Sequence, residues 1–151
     1  MTQPEALVAP NILEYTYTRT VGPVLGRFFT GLREGAIIGI RTPDGTVLVP
    51  PLEYDPSTGR TLSAEDMVPV ADAGVVTTWT WVAEPRDQHL LDQPFAFALI
   101  RLDGADSGFL HYVDVGDESR MRTGMRVKAR WRDDREGLIT DIEAFVAETG
   151  R

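Results

Sequence analysis

The fold is decided by residues 39–59, Gly-Ile-Arg-Thr-Pro-Asp-Gly-Thr-Val-Leu-Val-Pro-Pro-Leu-Glu-Tyr-Asp-Pro-Ser-Thr-Gly. Two turn-forming segments, residues 41–45 and 55–59, flank an apolar run that ends in Pro50-Pro51. The outer residues of each turn are three positions apart, Arg41 with Asp44 and Asp55 with Thr58. This is the spacing of a zinc ribbon, in which two knuckles each offer a pair of thiolates to one metal ion.

None of these four knuckle positions is a cysteine. Arg41 cannot bind a metal, and two carboxylates with one hydroxyl are a poor ligand set for zinc. The Pro-Asp-Gly and Asp-Pro-Ser-Thr-Gly segments favour tight turns without any metal. The sequence therefore predicts a metal-free, ribbon-like hairpin held by turn chemistry and packing, with its two strands at residues 36–40 and 46–49.

Upstream of the hairpin, the sequence predicts a short amphipathic helix. Thr20 is a candidate N-cap, Pro23 falls in the first turn, and Gly35 is a candidate left-handed C-terminal cap. Apolar side chains recur between them at helical spacing, namely Val24, Leu25, Phe28, Phe29 and Leu32. Phe28 and Phe29 carry more apolar surface than the small hairpin can cover. They therefore either pack on the rest of the chain or dock a partner subunit.

Residues 1–19 are predicted to form an N-terminal arm. Residues 1–10 are polar and contain proline, whereas residues 12–18, Ile-Leu-Glu-Tyr-Thr-Tyr-Thr, favour β structure. Leu13, Tyr15 and Tyr17 occupy alternate positions there. Such a segment forms either a short strand or an extended stretch that lies on a partner.

Downstream of the hairpin, strand signals follow one another closely. Residues 62–70 are rich in acid and proline and predict a connector. The predicted strands are residues 75–82, 94–102, 108–115, 124–132 and 137–146. The fourth alternates most clearly, with Met125, Val127, Ala129 and Trp131 inward and Arg126, Lys128, Arg130 and Arg132 outward. Five antiparallel strands without a long helix favour a small barrel over a sandwich, and the OB-fold is a five-stranded barrel.

This order of helix, hairpin and strands, with Gly45, Pro50-Pro51 and Pro56 in place, resembles a known family. It is similar to the zinc-ribbon OB-fold proteins, long called a domain of unknown function, that accompany thiolase-superfamily enzymes acting on acyl-CoA. The resemblance runs from Val21 to Val146, but the four zinc cysteines are absent. It implies a mainly β protein of a zinc-free branch. Residues 20–66 would form the helix and a rubredoxin-like or zinc-ribbon-like hairpin, and residues 67–151 an OB-fold barrel.

Composition restricts the partners and the compartment. The net charge of −8 argues against nonspecific binding to nucleic acid or to an anionic membrane. The absence of cysteine excludes disulfides, thiol catalysis and thiolate metal sites. No apolar stretch approaches the roughly 20 residues of a membrane span, and the first ten residues lack a signal-peptide pattern. We therefore expect a cytoplasmic protein without nucleic-acid or membrane partners.

Catalytic residue patterns are scarce. The only histidines are His89 and His111, and neither lies near a serine in a nucleophile-elbow context. Residues 22–26 lack the glycine spacing of a dinucleotide site, and no glycine-rich loop ends in Lys-Ser or Lys-Thr. A lone histidine in a strand is more often packed than catalytic. The sequence therefore predicts a chain that is not catalytic by itself.

By resemblance, the chain is predicted to be an accessory subunit of a heteromeric complex. Its partner would be a thiolase or a carbon–carbon-cleaving aldolase, as in bacterial steroid side-chain degradation, and it would support acyl-CoA binding or channelling. Relatives associated with an enoyl-CoA hydratase imply a second partner. Zinc is not expected as a cofactor, and acyl-CoA is expected only as the substrate of the complex. The candidate partner-binding residues are Phe28, Phe29, Leu32, Pro50, Pro51 and Tyr54.

The outward stripe Arg126, Lys128, Arg130 and Arg132 has two interpretations. It is either a solvated strand face balanced by Asp133, Asp134 and Glu136, or a site for an anion such as the phosphates of coenzyme A. The alternative function is an OB-fold module for single-stranded nucleic acid or a small anionic ligand. Trp79, Trp81 and Trp131 lie on the apolar faces of their strands, where they are unsuited to stacking with bases. A third hypothesis is an enzyme built on His89 or His111.

Overall fold

The computed structural model describes residues 9–149. A single α-helix in this part of the chain, α1 (Gly22–Arg33), precedes eight strands. The strands are β1 (Ile37–Arg41), β2 (Val47–Leu48), β3 (Met67–Val70), β4 (Ala73–Val82), β5 (Phe95–Leu102), β6 (Phe109–Asp114), β7 (Arg126–Trp131) and β8 (Ile142–Ala147). Between Ala9 and Thr149, no helix has the length and apolarity that crossing a bilayer requires.

Helix α1 ends as predicted but begins differently. Pro23 lies in its first turn, and Gly35 follows the C-cap with a left-handed φ of 75°. The N-cap position belongs to Val21, which offers no side-chain hydrogen bond, so the prediction of Thr20 as the cap is wrong. The helix is held instead by its apolar face, on which Val24, Phe28 and Leu32 are buried. Packing rather than capping supplies most helix stability in proteins.

A small sheet with the strand order β2-β1-β3 follows the helix. The hairpin of β1 and β2 pairs Ile40 with Leu48, close to the predicted positions. The third strand was not predicted, because Pro69 and the neighbouring acidic residues favour a connector. β3 pairs antiparallel with β1 and places Pro69 opposite Ile38. Proline is tolerated there because β3 is an edge strand, where one missing N–H donor faces away from the sheet.

The remaining strands form a closed barrel in the order β4-β5-β6-β8-β7. This confirms the prediction of a five-stranded OB-fold barrel. The pairs are antiparallel except for β6 with β8, which are parallel through Val113 opposite Phe145. The prediction of an entirely antiparallel barrel is therefore wrong, because β8 enters between β6 and β7 in the direction of β6. The barrel interior is filled by fully buried residues that include Val76, Ile100, Phe109, Val127, Ile142 and Phe145.

The small sheet and the barrel are joined by the turn between β5 and β6. The Asp106 carboxylate accepts a hydrogen bond from the Val47 N–H at 2.8 Å, and the Asp106 N–H donates to the Val47 carbonyl at 2.8 Å. The Ser107 hydroxyl accepts from the Val49 N–H at 2.7 Å and donates to the Val49 carbonyl at 3.0 Å. This Asp106–Ser107 clamp satisfies the backbone along β2 that would otherwise face solvent.

Candidate functional site

The helix side chains predicted to bind a partner lie mostly inside the chain. Phe28 is 2% exposed and Leu32 is fully buried, both within the hydrophobic core. Phe29 is half-buried and meets the Phe28 ring edge-on, with 5.5 Å between ring centroids. The surplus apolar surface that the sequence indicated is therefore covered by the chain's own fold. Burial removes Phe28 and Leu32 from the predicted docking surface and leaves Phe29 at its margin.

The loop after β2 keeps part of its predicted exposure. Pro50 is exposed and Pro51 is buried. Leu52 and Tyr54 are 38% and 55% exposed, so two apolar side chains face outward from this short loop. The loop is fixed at both ends, by the Asp106–Ser107 clamp before it and by the Leu62 N–H, which donates to the Glu53 carbonyl at 2.9 Å. Its role in binding a partner stays a prediction.

The two knuckle-like turns are closed by their own aspartates. Asp44 accepts from the Thr42 hydroxyl and, at 3.1 Å, from the Thr46 N–H. These hydrogen bonds, led by the one from Thr42, lower the pKa of Asp44 below its ordinary value. Asp55, which is 4% exposed, accepts from the Ser57 N–H and the Thr58 hydroxyl, both at 2.8 Å. Within residues 9–149 no group of three or more potential metal ligands comes together.

The basic stripe on β7 is engaged in ion pairs. Arg126 forms a two-pronged pair with Asp103, with both N–O distances 2.7 Å, and a third bond to Glu148 at 2.8 Å. The hydrogen bond from Arg126 lowers the pKa of Asp103. Arg130 contacts Glu143 at 2.5 Å and Asp114 at 2.9 Å.

Buried and exposed residues alternate along β7 as predicted, but the acids that pair with the arginines of the stripe are not the predicted ones. Met125, Val127 and Ala129 are buried while Arg126 and Lys128 face outward. Arg126 and Arg130 pair with acids on other parts of the barrel. The sequence had predicted that the adjacent acids Asp133, Asp134 and Glu136 would balance the stripe. Sequence proximity could not reveal partners that lie across strands. The predicted anion-binding role therefore depends on Lys128 and Arg132, and it stays a prediction.

Both histidine side chains are held by hydrogen bonds and by packing against nearby residues. His111 is 5% exposed, its Nδ1 accepts from the Tyr112 N–H at 2.9 Å, and its Nε2 lies 3.3 Å from the Ile139 carbonyl. Because Nδ1 accepts a hydrogen bond, Nε2 carries the hydrogen of the neutral ring and donates it to the Ile139 carbonyl. Burial lowers the pKa of His111 and favours that form. The Nδ1 of His89 accepts from the Arg86 N–H at 3.0 Å, and its ring packs edge-on against Phe95. Both serve as packed residues.

Among residues 9–149, the large apolar side chains with the highest exposed fractions lie in the arm that precedes α1. Leu13, Tyr15 and Tyr17 are 72%, 82% and 79% exposed, and Ile12 is 78% exposed. Residues 9–20 enter no backbone–backbone hydrogen bond with another described residue. The β-prone alternation of this segment was visible in the sequence, but its exposure was not. We call Leu13, Tyr15, Tyr17 and Val21 the arm face, because they are exposed apolar residues at odd positions of this segment.

Comparison with known proteins identifies the barrel. Residues 67–132 match the family model of the ChsH2 C-terminal OB-fold domain. This part of the chain is therefore similar to the OB-fold domain of ChsH2. No curated protein matches its sequence.

Two solved structures share the fold of this chain. One is a protein of unknown function from the DUF35 family of Sulfolobus solfataricus, with a TM-score of 0.61 and 23% identity over 84% of this chain and 87% of that one. The other is a chain of the Ltp2-ChsH2(DUF35) aldolase, with a TM-score of 0.64 and 18% identity over 86% of this chain and 98% of that one. Each likeness extends beyond the barrel, since each covers more of the chain than residues 67–132.

Proposed function

We propose that the chain is a non-catalytic accessory subunit of an aldolase. The observation that carries this proposal is the fold shared with a chain of the Ltp2-ChsH2(DUF35) aldolase, almost all of which is covered. The described residues support the same conclusion. His89 and His111 are held by backbone and aromatic contacts, and neither forms a hydrogen bond to a nucleophile in residues 9–149.

The partner in this proposal is a thiolase-like enzyme that acts on an acyl-CoA, such as a steroid side-chain aldolase. The enoyl-CoA hydratase is a second proposed partner, to which substrate would be channelled. We also propose that the chain represents a branch without the zinc cysteines. The support is local, since Asp44 and Asp55 close the two turns through hydrogen bonds that need no metal.

The geometry gives less support to a nucleic-acid or anion-binding module. Such a module needs free cations beside exposed aromatic rings. Arg126 and Arg130 are each bound to two carboxylates, and Trp131 donates its Nε1–H to Asp72 at 3.2 Å. These contacts neutralise Arg126 and Arg130 and hold the Trp131 ring.

The test is co-expression with the thiolase-like enzyme encoded nearest to this chain, followed by size-exclusion chromatography and an aldolase assay. We expect a stable co-eluting complex and an enzyme that is inactive or insoluble when produced alone. Separate elution of the two chains, with the enzyme fully active on its own, would refute the accessory role. Replacing His89 and His111 together should leave the activity of the complex unchanged if the chain is not catalytic.

A further inference from the structure

We propose that the arm face docks in an apolar groove of the partner enzyme, in an extended conformation. This inference rests on the proposed function, because it names the segment through which the accessory subunit holds its partner. Tyr15 and Tyr17 are 82% and 79% exposed, so no element between residues 9 and 149 covers them. Monomeric proteins rarely present contiguous apolar surface of this kind unless another molecule covers it.

The arm has the pattern of a segment with one apolar side. Between Leu13 and Thr18 the odd positions are apolar (Leu13, Tyr15, Tyr17) and the even positions polar (Glu14, Thr16, Thr18), whereas Ile12 and Arg19 at the two ends depart from this alternation. In an extended chain, successive side chains point to opposite sides, so the apolar residues share one face and the polar residues the other. The arm therefore suits a groove that accepts alternate side chains and leaves the threonines toward solvent.

The arm is continuous with the exposed loop after β2. A Cβ added at Gly22, the first residue of α1, would lie 2.8 Å from a carboxylate oxygen of Glu53. The root of the arm at Val21, itself 42% exposed, therefore lies beside the loop that presents Leu52 and Tyr54. Of the eleven exposed large hydrophobic side chains in residues 9–149, seven belong to these two segments.

The size of this surface fits a stable interface. A buried tyrosine contributes about 150–250 Å². The arm face and the loop carry three tyrosines, together with leucines and a valine. Scaled by their exposed fractions, Tyr15, Tyr17 and Tyr54 would supply roughly 320–540 Å², about half of the roughly 800 Å² that each partner buries in a stable complex.

Charge favours a different protein over a second copy as the occupant. The chain carries a net charge of −8, so two copies repel each other on approach. Within residues 9–20, Glu14 and Arg19 offset one another, which leaves this part of the arm without net charge. A neutral, apolar segment on an acidic body is suited to a partner that supplies an apolar groove.

The test compares two variants of the full chain, each co-expressed with the thiolase-like enzyme. The arm variant combines Leu13→Ser, Tyr15→Ser and Tyr17→Ser. The control is Leu110→Ser, which removes another exposed apolar side chain, 61% exposed, from the outer face of β6. We expect the arm variant to bind the enzyme at least about tenfold more weakly, because exposed tyrosines at interfaces are frequent hot spots. The control should bind like the wild type, and all three chains should have the same melting temperature.

The outcomes separate this inference from the proposed function. If the arm variant binds the enzyme as tightly as the wild type, the docking role is wrong while the accessory function stands. If the wild-type chain itself does not bind the enzyme, both fail together. If the wild-type chain is dimeric alone and the arm variant is monomeric with unchanged enzyme binding, the occupant is a second copy and the inference is overturned.

Discussion

Asp141 is a buried carboxylate whose surroundings are all hydrogen-bond donors. It is 1% exposed and accepts from the N–H groups of Glu136, Gly137 and Leu138 at 3.0, 2.7 and 3.1 Å. Burial by itself raises the pKa of Asp141, but these three donors and the nearby Arg132 outweigh it, and the pKa lies below its ordinary value. Asp141 therefore holds residues 136–138 in a loop just before β8.

Asp141→Asn should lower the free energy of unfolding by about 1–3 kcal/mol, the cost of leaving buried donors unsatisfied. The amide retains a single acceptor oxygen and brings N–H donors toward N–H groups. Urea denaturation at pH 7 measures the loss. Asp133→Asn, at an exposed turn position, is the matched control and should change stability by no more than about 0.5 kcal/mol.

The same pair of variants has a pH signature. A carboxyl group with a lowered folded-state pKa stabilises fully above its unfolded value of about 3.9, and this stabilisation is lost as the pH falls through the folded value. The difference between wild type and Asp141→Asn should therefore be constant near neutrality and shrink in acid. A difference that grows on acidification would contradict the structural role assigned to the ionised side chain.

At Gly74 the backbones of β4 and β5 approach each other closely. A Cβ at this position would lie 2.3 Å from the Arg101 carbonyl oxygen and 2.7 Å from the Leu102 Cα, both backbone atoms of β5. Gly74→Ala should therefore destabilise by about 1–3 kcal/mol or more, since the strands must move apart. At Gly108 the nearest atom is a Leu99 side-chain carbon at 3.4 Å, so Gly108→Ala should be well tolerated. Equal melting temperatures for the two variants would contradict this account.

At the scale of elements, α1 belongs to the core of the molecule. Its buried face packs on β1, and Phe28 and Leu32 join the same hydrophobic cluster as Ile37 and Ile40. The helix therefore contributes stability through the residues that the sequence analysis assigned to docking.

Phe28→Ala should cost about 3–5 kcal/mol of stability, as removal of a buried phenylalanine does elsewhere. Phe29→Ala should cost clearly less, because Phe29 is only half-buried. Denaturant unfolding of both variants measures the difference. A Phe28→Ala chain with wild-type stability and impaired partner binding would restore the docking role of Phe28.

Periodicity in the sequence was enough to predict most helices and strands, but not which of them pair or pack with one another. The alternation of residues 124–132 predicted β7, and Gly35 marked the end of α1. Strand β3 was missed because Pro69 opposes strand formation locally, while pairing with β1 stabilises it from a distance. The fifth predicted strand began too early, at residue 137, because Asp141 draws the preceding N–H groups into a loop. The partners of Arg126 and Arg130 lie on other elements and left no local signal.

At the scale of the whole molecule, the Asp106–Ser107 clamp ties the small sheet to the barrel. Its four hydrogen bonds join Val47 and Val49 to residues almost sixty positions away in the sequence. The clamp lies just before the loop that presents Leu52 and Tyr54. It therefore also fixes where that loop stands relative to the barrel.

Replacing both clamp residues, Asp106→Ala with Ser107→Ala, should expose the Val47 and Val49 amides to exchange. One hydrogen bond contributes about 1 kcal/mol, so protection of each amide should fall about fivefold. Hydrogen exchange measured by NMR tests this, with Ser119→Ala in the turn after β6 as the control. Unchanged exchange at Val47 would show that the small sheet does not depend on the barrel turn.

The pairing of β3 with β1 limits where a gene fusion can separate the barrel from the rest of the chain. The family match begins at Met67, which is also the first residue of β3, yet the partner of β3 is β1. A gene fusion that started at Met67 would separate the two strands and leave unpaired N–H and C=O groups, which promote aggregation. A gene fusion that moves this barrel should therefore either begin after Val70 or carry the helix and the small sheet with it.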